Sequence, residues 1–424
     1  MQLKLLNFYK FLSNFANSLV GAFVPLIIFS VTGELYIAFI YLLMQESIRF
    51  TTTFLLKKKM QRNPQIFLLF RIGTLTLYNV FIILLDVNLW VGVCGVCLFY
   101  GMDQSFKYCA NELIYNYSSL NRGGKSLGIT RVFEQLGAIA SIIVGGVLLD
   151  IDRVLVVIIS LSLYAISLVP LLIYYFKSRK NKLFNKDAIS NAMEKFNKDE
   201  EHSAYNKKIV KRILFGYALV YFVFCVIDYF PSLYQLQLFF DGSDKFTMAG
   251  VFSAIFNAGY GVGSFIAGKQ NDKIDLTRSV QIACGTIGVC MAMLAFVQNE
   301  IIIYILFAMT GFVYPYISVF VYQRLLVKSR ILGASNWAIL YREEASVVSY
   351  IFIFGISLIL SILPKVVLFS IFLVIAAAFI FSIYLIPKNE EKTRKLLVDF
   401  LEDNEIKNDE RPKQQENSQL KAEK

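Results

Sequence analysis

Ten ionisable side chains lie well inside long apolar stretches of the sequence: Glu46, Arg49, Asp103, Lys107, Arg131, Glu134, Asp228, Arg342, Glu343 and Glu344. At the centre of a membrane helix each would cost roughly 2.5–3.5 kcal/mol. Ten facing lipid would approach about 30 kcal/mol, well above the ~5–15 kcal/mol of net stability typical of a fold. They must therefore face one another or water. Three pairs are spaced to share a helix face: Glu46 with Arg49 and Arg131 with Glu134 at i,i+3, and Asp103 with Lys107 at i,i+4. Such pairs can bind a charged solute, or exchange a proton as the partner cation moves away. They can also simply hold helices together. The carboxyls Glu46, Asp103, Glu134, Asp228, Glu343 and Glu344 outnumber the cations Arg49, Lys107, Arg131 and Arg342. On that count at least one carboxyl is a candidate for protonation, or for pairing with a cationic solute.

Small and polar residues accompany these charges at helical spacing. The first stretch presents Asn14, Asn17 and Gly21 on one face. The fifth runs Arg131, Glu134, Ala138, Ser141 and Gly145, and the eleventh Ser335, Ala338, Arg342, Ser346 and Ser349. The seventh carries Tyr221 and Asp228 two turns apart. Consecutive Arg342, Glu343 and Glu344 fan across about 200° of a helix, so they cannot share one narrow surface. Arg342 lies on the small polar face and is assigned to a cavity; Glu344, flanked by Leu340, Tyr341 and Val348, suits a helix interface. The only histidine, His202, falls in a polar stretch, and no nucleophile–base pair stands out, so an enzyme is not expected. Cys94 and Cys97 have metal spacing but sit in an apolar span without partner ligands. Buried reduced thiols are therefore expected, with no metal and no cofactor.

The elements that must position these residues follow from composition. Of 424 residues, 56% are hydrophobic and 17% charged. Apolar spans of roughly 20 residues follow one another with short polar breaks: 5–29, 35–56, 66–85, 89–110, 126–149, 154–176, 210–231, 246–267, 278–298, 301–323, 333–361 and 365–386. The first is expected to be a retained helix and not a cleaved signal. Polar stretches at 177–209 and 387–424 divide the chain into a six-helix bundle (1–176), a linker, a second six-helix bundle (210–386) and a tail. The third, sixth, ninth and twelfth spans show no ionisable residue beyond their first turns, as peripheral, lipid-facing helices would.

Lys and Arg alternate strictly between loops. Lys57–Lys59 and Arg62, Arg122 and Lys125, the linker, Lys269 with Lys273 and Arg278, and Lys328 with Arg330 mark one side. The other side is nearly bare of them, which places both termini and the linker in the cytoplasm. This distribution accounts for the net charge of +11 without nucleic acid as a partner. The outer loops are too short for the ligand-binding domain of a receptor.

Local motifs carry a resemblance. Gly268-Lys-Gln-Asn-Asp272-Lys273, followed by Arg278, resembles the G-x-x-x-D-[RK] cytoplasmic loop signature of the major facilitator superfamily; the matching first-half loop, 55–60, keeps the charge but lacks the Gly and the Asp. Gly137-Ala-Ile-Ala-Ser141-Ile142-Ile-Val-Gly145-Gly146 is similar to the superfamily's G-x-x-x-G-P-x-x-G-G element, with Ser141 and Ile142 replacing a Gly and the Pro. Small residues at that spacing also let helices approach closely. The resemblance implies an all-α membrane protein of twelve helices in two pseudo-symmetric bundles, transporting a small molecule by alternating access. The exporter element favours proton-coupled export of a polar or amphipathic substrate by a monomer. Import, lipid flipping, or a receptor without transport are the alternatives. Richness in Lys, Asn and Ile suggests a bacterial plasma membrane.

Overall fold

A computed structural model describes residues 2–117, 123–180, 245–271, 277–297, 299–331, 335–360, 370–371, 373–389 and 391–392. These residues are almost entirely helical. In the first half run α1 (Gln2–Val20), α2 (Val24–Thr32), α3 (Leu35–Arg62), α4 (Pro64–Leu84), α5 (Leu89–Tyr117), α6 (Gly123–Ile151) and α7 (Arg153–Lys180). In the second half run α8 (Lys245–Asn271), α9 (Thr277–Phe296), α10 (Glu300–Ile331), α11 (Ser335–Leu360) and α12 (Leu373–Asn389). Helices α1 and α2 form one span, Lys4–Thr32, interrupted by a 3₁₀ turn at Gly21–Phe23. The cause is Pro25, which has no N–H to offer the carbonyl of Gly21 and so tightens the preceding turn. Eleven of the twelve expected spans thus fall on described helices, and the seventh, 210–231, lies outside the described residues. Seven described helices are long and apolar enough to cross a membrane.

Local chemistry sets the helix ends. Gly33, at φ +69, adopts the left-handed conformation that closes α2, its N–H bonding the Phe29 carbonyl at 2.8 Å. Asn63 and Pro64 start α4. Asn88, Asp152 and Asn299 each accept a hydrogen bond from backbone N–H groups in the first turn that follows, of α5, α7 and α10.

Packing puts the charged helices inside. In the first half α1 lies against α6 and α7, α3 against α5, and α4 against α5 and α7. In the second half α8 and α9 pack on α10, and α10 touches α11. The halves meet along two main seams, α6 with α8 and α3 with α11. Large apolar side chains are exposed along the outside: Phe70 and Leu77 on α4, Ile158, Ile166 and Phe176 on α7, Ile282, Val289 and Phe296 on α9, Ile380 and Phe381 on α12. Such rows, heptad-spaced on α9, are what lipid tails solvate. The peripheral role expected for these four helices holds, with one exception. Arg71 lies two turns into α4, and at 1% exposure it is the largest fully buried side chain among the described residues.

Candidate functional site

Among the described residues, four ion pairs organise the charged helices. On α3, Arg49 Nη1 donates to Glu46 Oε2 at 3.2 Å, the i,i+3 geometry the spacing predicts, and Gln45 Nε2 donates to Glu46 Oε1 at 3.0 Å. Glu46 has no exposed surface. The Arg49 guanidinium also sits 5.8 Å from the centroid of Tyr350 on α11, a cation–π contact that crosses between the halves. Further along this seam, at the end carrying the basic loops, Lys57 Nζ donates to Glu344 Oε1 at 3.4 Å. The interface role expected for Glu344 fits that contact.

The other two pairs join helices within the first half. Arg71 Nε on α4 donates to Asp103 Oδ1 on α5 at 2.7 Å, and both side chains are buried. Arg71 Nη1 also reaches the Tyr9 hydroxyl at 3.2 Å and Ser13 Oγ at 3.4 Å, both on α1. Gln104 Nε2 donates to Asp103 Oδ2 at 3.3 Å. Glu134 on α6 accepts from Lys10 Nζ on α1, again with both groups buried. Asp103 and Glu134 therefore draw hydrogen-bonded cations from neighbouring helices, not only from the intrahelical positions that spacing suggests. Lys107 lies half-buried one turn beyond Asp103.

Lys10 and Arg71 change the charge count. Adding them to Arg49, Lys107, Arg131 and Arg342 gives six cations to set beside the six carboxyls of the sequence count. The two cations sit five or six residues inside their spans, a depth easily read as a membrane-edge position. The signal that could have found them is the flanking sequence Phe67-Leu-Leu-Phe-Arg71-Ile and the imbalance of the count itself.

A tyrosine–asparagine cluster adjoins the Arg71–Asp103 pair. Asn17 Nδ2 donates to the Tyr100 hydroxyl and the Tyr164 hydroxyl donates to Asn17 Oδ1, each at 3.3 Å, so one residue of α1 ties α5 to α7. Tyr100 stacks on Tyr78 of α4 with centroids 4.8 Å apart. Asn14 is half-buried on α1.

Glycines of α6 set the helix spacing. A Cβ at Gly137 would come within 2.8 Å of the Phe11 carbonyl, and one at Gly145 within 2.3 Å of the Leu19 carbonyl, both on α1. A Cβ at Gly146 would meet the Phe246 carbonyl of α8 at 2.5 Å. Ser141, buried between them, returns its hydroxyl to the Ala138 carbonyl. The Gly137–Gly146 element thus packs α6 between α1 and α8. At the end of that seam away from the basic loops, Asp150 accepts from the N–H groups of Phe246 and Thr247 at 3.2 and 2.9 Å and from the Thr247 hydroxyl at 2.6 Å. It thereby caps α8 from the other half of the molecule.

Several expected site residues fall outside the described set: Tyr221 and Asp228 entirely, Asp272 and Lys273 of the loop motif, and the side chains of Arg131, Arg342 and Glu343. Gly268 lies in the last turn of α8.

Comparison with known proteins follows this geometry. The sequence profile of the Major Facilitator Superfamily matches residues 106–340. Among solved structures, a bacterial homologue of the iron transporter ferroportin in an outward-facing state with soaked iron is similar at a TM-score of 0.67 and 13% identity, over 92% of this chain and 99% of that one. The human organic anion transporter MFSD10 (TETRAN) is similar at a TM-score of 0.62 and 11% identity, over 91% and 98%. A variant of the E. coli fucose:proton symporter FucP is similar at 0.54 and 14%, over 91% and 98%. No curated protein sequence matches the chain.

Proposed function

Because the chain belongs to the major facilitator superfamily, we propose that this multi-pass membrane protein is a secondary active transporter, exporting a small polar or amphipathic molecule in exchange for protons. The observation that carries the reading is the Asp103–Arg71 pair, a carboxylate fully buried in the first half and bonded to a cation on a different helix. Protonating Asp103 would release Arg71, and a shift of α4 against α5 would in turn change the carboxyl's affinity for its proton. Glu134 and Lys10 repeat the arrangement between α6 and α1. Exchange with protons draws support from the Gly137–Gly146 element, similar to that of superfamily exporters. The fold is shared with a symporter named for its proton.

The substrate pathway runs between the halves, past Asn14, Glu46 and Arg49. The substrate carries polar or charged groups, matching the charges that line this path. The chain acts as a monomer in a bacterial plasma membrane, with both termini and the 177–209 linker cytoplasmic, as the Lys and Arg alternation requires.

Proteoliposomes with an imposed pH gradient test the proposal. A proton gradient directed toward the cytoplasmic face should drive substrate out through that membrane. Asp103→Asn and Glu134→Gln should abolish this driven mode while substrate exchange at zero gradient continues. Folded variants that still concentrate substrate against its gradient would remove both residues from the proton path. Substrate driven in the same direction as protons would replace export with import.

A further inference from the structure

We propose that the interior of the first half binds a short file of water between Arg71, Tyr78 and Asn79, in contact with the Asp103–Arg71 pair. Three observations meet there. Arg71, Tyr78 and Asn79 share one face of α4 at i, i+7 and i+8, and each is buried to within 1%. Arg71 Nη2, the Tyr78 hydroxyl and Asn79 Oδ1 have no hydrogen-bond partner in the protein, although the remaining polar groups of Arg71 and Asn79 are bonded. The three are a cationic donor, an amphoteric hydroxyl and a carbonyl acceptor, a mixed set that water, both donor and acceptor, satisfies.

Their surroundings are continuous and polar. Tyr78 stacks on Tyr100, Tyr100 is bonded to Asn17, and Asn17 to Tyr164. Tyr100 stands one turn from Asp103 on α5. Side chains on a helix lean toward its N-terminus, so the Tyr78 ring points back along α4 toward the level of Arg71. Orphaned donors and acceptors this deeply buried are rare in folded proteins and usually mark bound water. If Asp103 carries the coupling proton, as proposed above, the file is the route by which that proton reaches it. The water site itself does not depend on that reading.

X-ray radiolytic footprinting of the full chain in lipid nanodiscs, read by mass spectrometry, tests the inference, because radicals formed from bound water modify the side chains beside it. Tyr78 should be modified despite its burial, while Tyr41, equally buried, should not. Asn79→Leu should lower modification of Tyr78 several-fold. Thermal unfolding gives an independent arm. Around water, Tyr78→Phe and Asn79→Leu remove a satisfied group and lower the melting temperature, whereas in a dry interior they remove an unsatisfied one and raise it. Absence of Tyr78 modification, or a raised melting temperature in both variants, would overturn the water site and leave the transport proposal standing. Driven transport that survives Asp103→Asn would overturn the proton assignment and leave the water site standing.

Discussion

The two seams between the halves are built from opposite materials. Along α6 and α8 the contact is backbone against small residue: Gly146 admits the Phe246 carbonyl, Gly250 admits the Ile142 carbonyl, and Asp150 caps α8 directly. Along α3 and α11 it includes long, charged and aromatic side chains, Lys57 on Glu344 and Arg49 over Tyr350. Backbone packing at van der Waals distance has little slack, and displacement loses every contact at once. Long side chains can let go and find water or another partner. The difference teaches how one fold can hold and move together. For the alternating access proposed above, this assigns the α6–α8 seam as the pivot and the basic-loop end of the α3–α11 seam as the contact that parts.

That contrast can be broken at the pivot first. Gly146→Val places a branched side chain where even a Cβ lies 2.5 Å from a backbone oxygen. Overpacking of this kind costs about 1–3 kcal/mol or more. Lower melting temperature and loss of transport are expected, and a variant of unchanged stability and rate would refute the close packing. Asp150→Ala comes next, removing three hydrogen bonds to the start of α8 at a cost of about 0.5–2 kcal/mol. Reduced stability should appear in the same thermal assay, with partial recovery in Asp150→Asn.

Effects at the parting seam should be smaller on stability and larger on rate. Tyr350→Leu removes the ring beneath Arg49 at about 0.5–1 kcal/mol, and a changed substrate affinity or turnover should accompany it if Arg49 lines the pathway. The smallest stability change is expected at the half-exposed Lys57–Glu344 pair, at most about 1 kcal/mol. Lys57→Glu alone should alter transport rate by like-charge repulsion, and adding Glu344→Lys should restore it. Failure of the reversed pair to rescue would remove this contact from the cycle.

Much of this architecture is legible in the sequence, because bilayer physics acts on single segments. Span length, loop charge and the charge-poor peripheral helices are properties of contiguous residues, and they identify the family fold. The Glu46–Arg49 pair is legible for the same reason, both members lying on one helix turn. Arg71 with Asp103 and Lys10 with Glu134 are not, since 32 and 124 residues separate the partners and only tertiary packing joins them. Glycine spacing on α6 announces close approach without saying to which helix. The structure divides the task, with Gly137 and Gly145 facing α1 and Gly146 facing α8.

Cross-linking the two seams tests the account most directly. In a background without native cysteines, one variant carries Cys at Lys57 and Glu344 and the other at Asp150 and Thr247, each joined by a short bifunctional thiol reagent and assayed in proteoliposomes. Alternating access about an α6–α8 pivot predicts that the 57–344 link abolishes transport until it is reduced, while the 150–247 link leaves transport running. Undiminished transport with the 57–344 link, together with block by the 150–247 link, would contradict it.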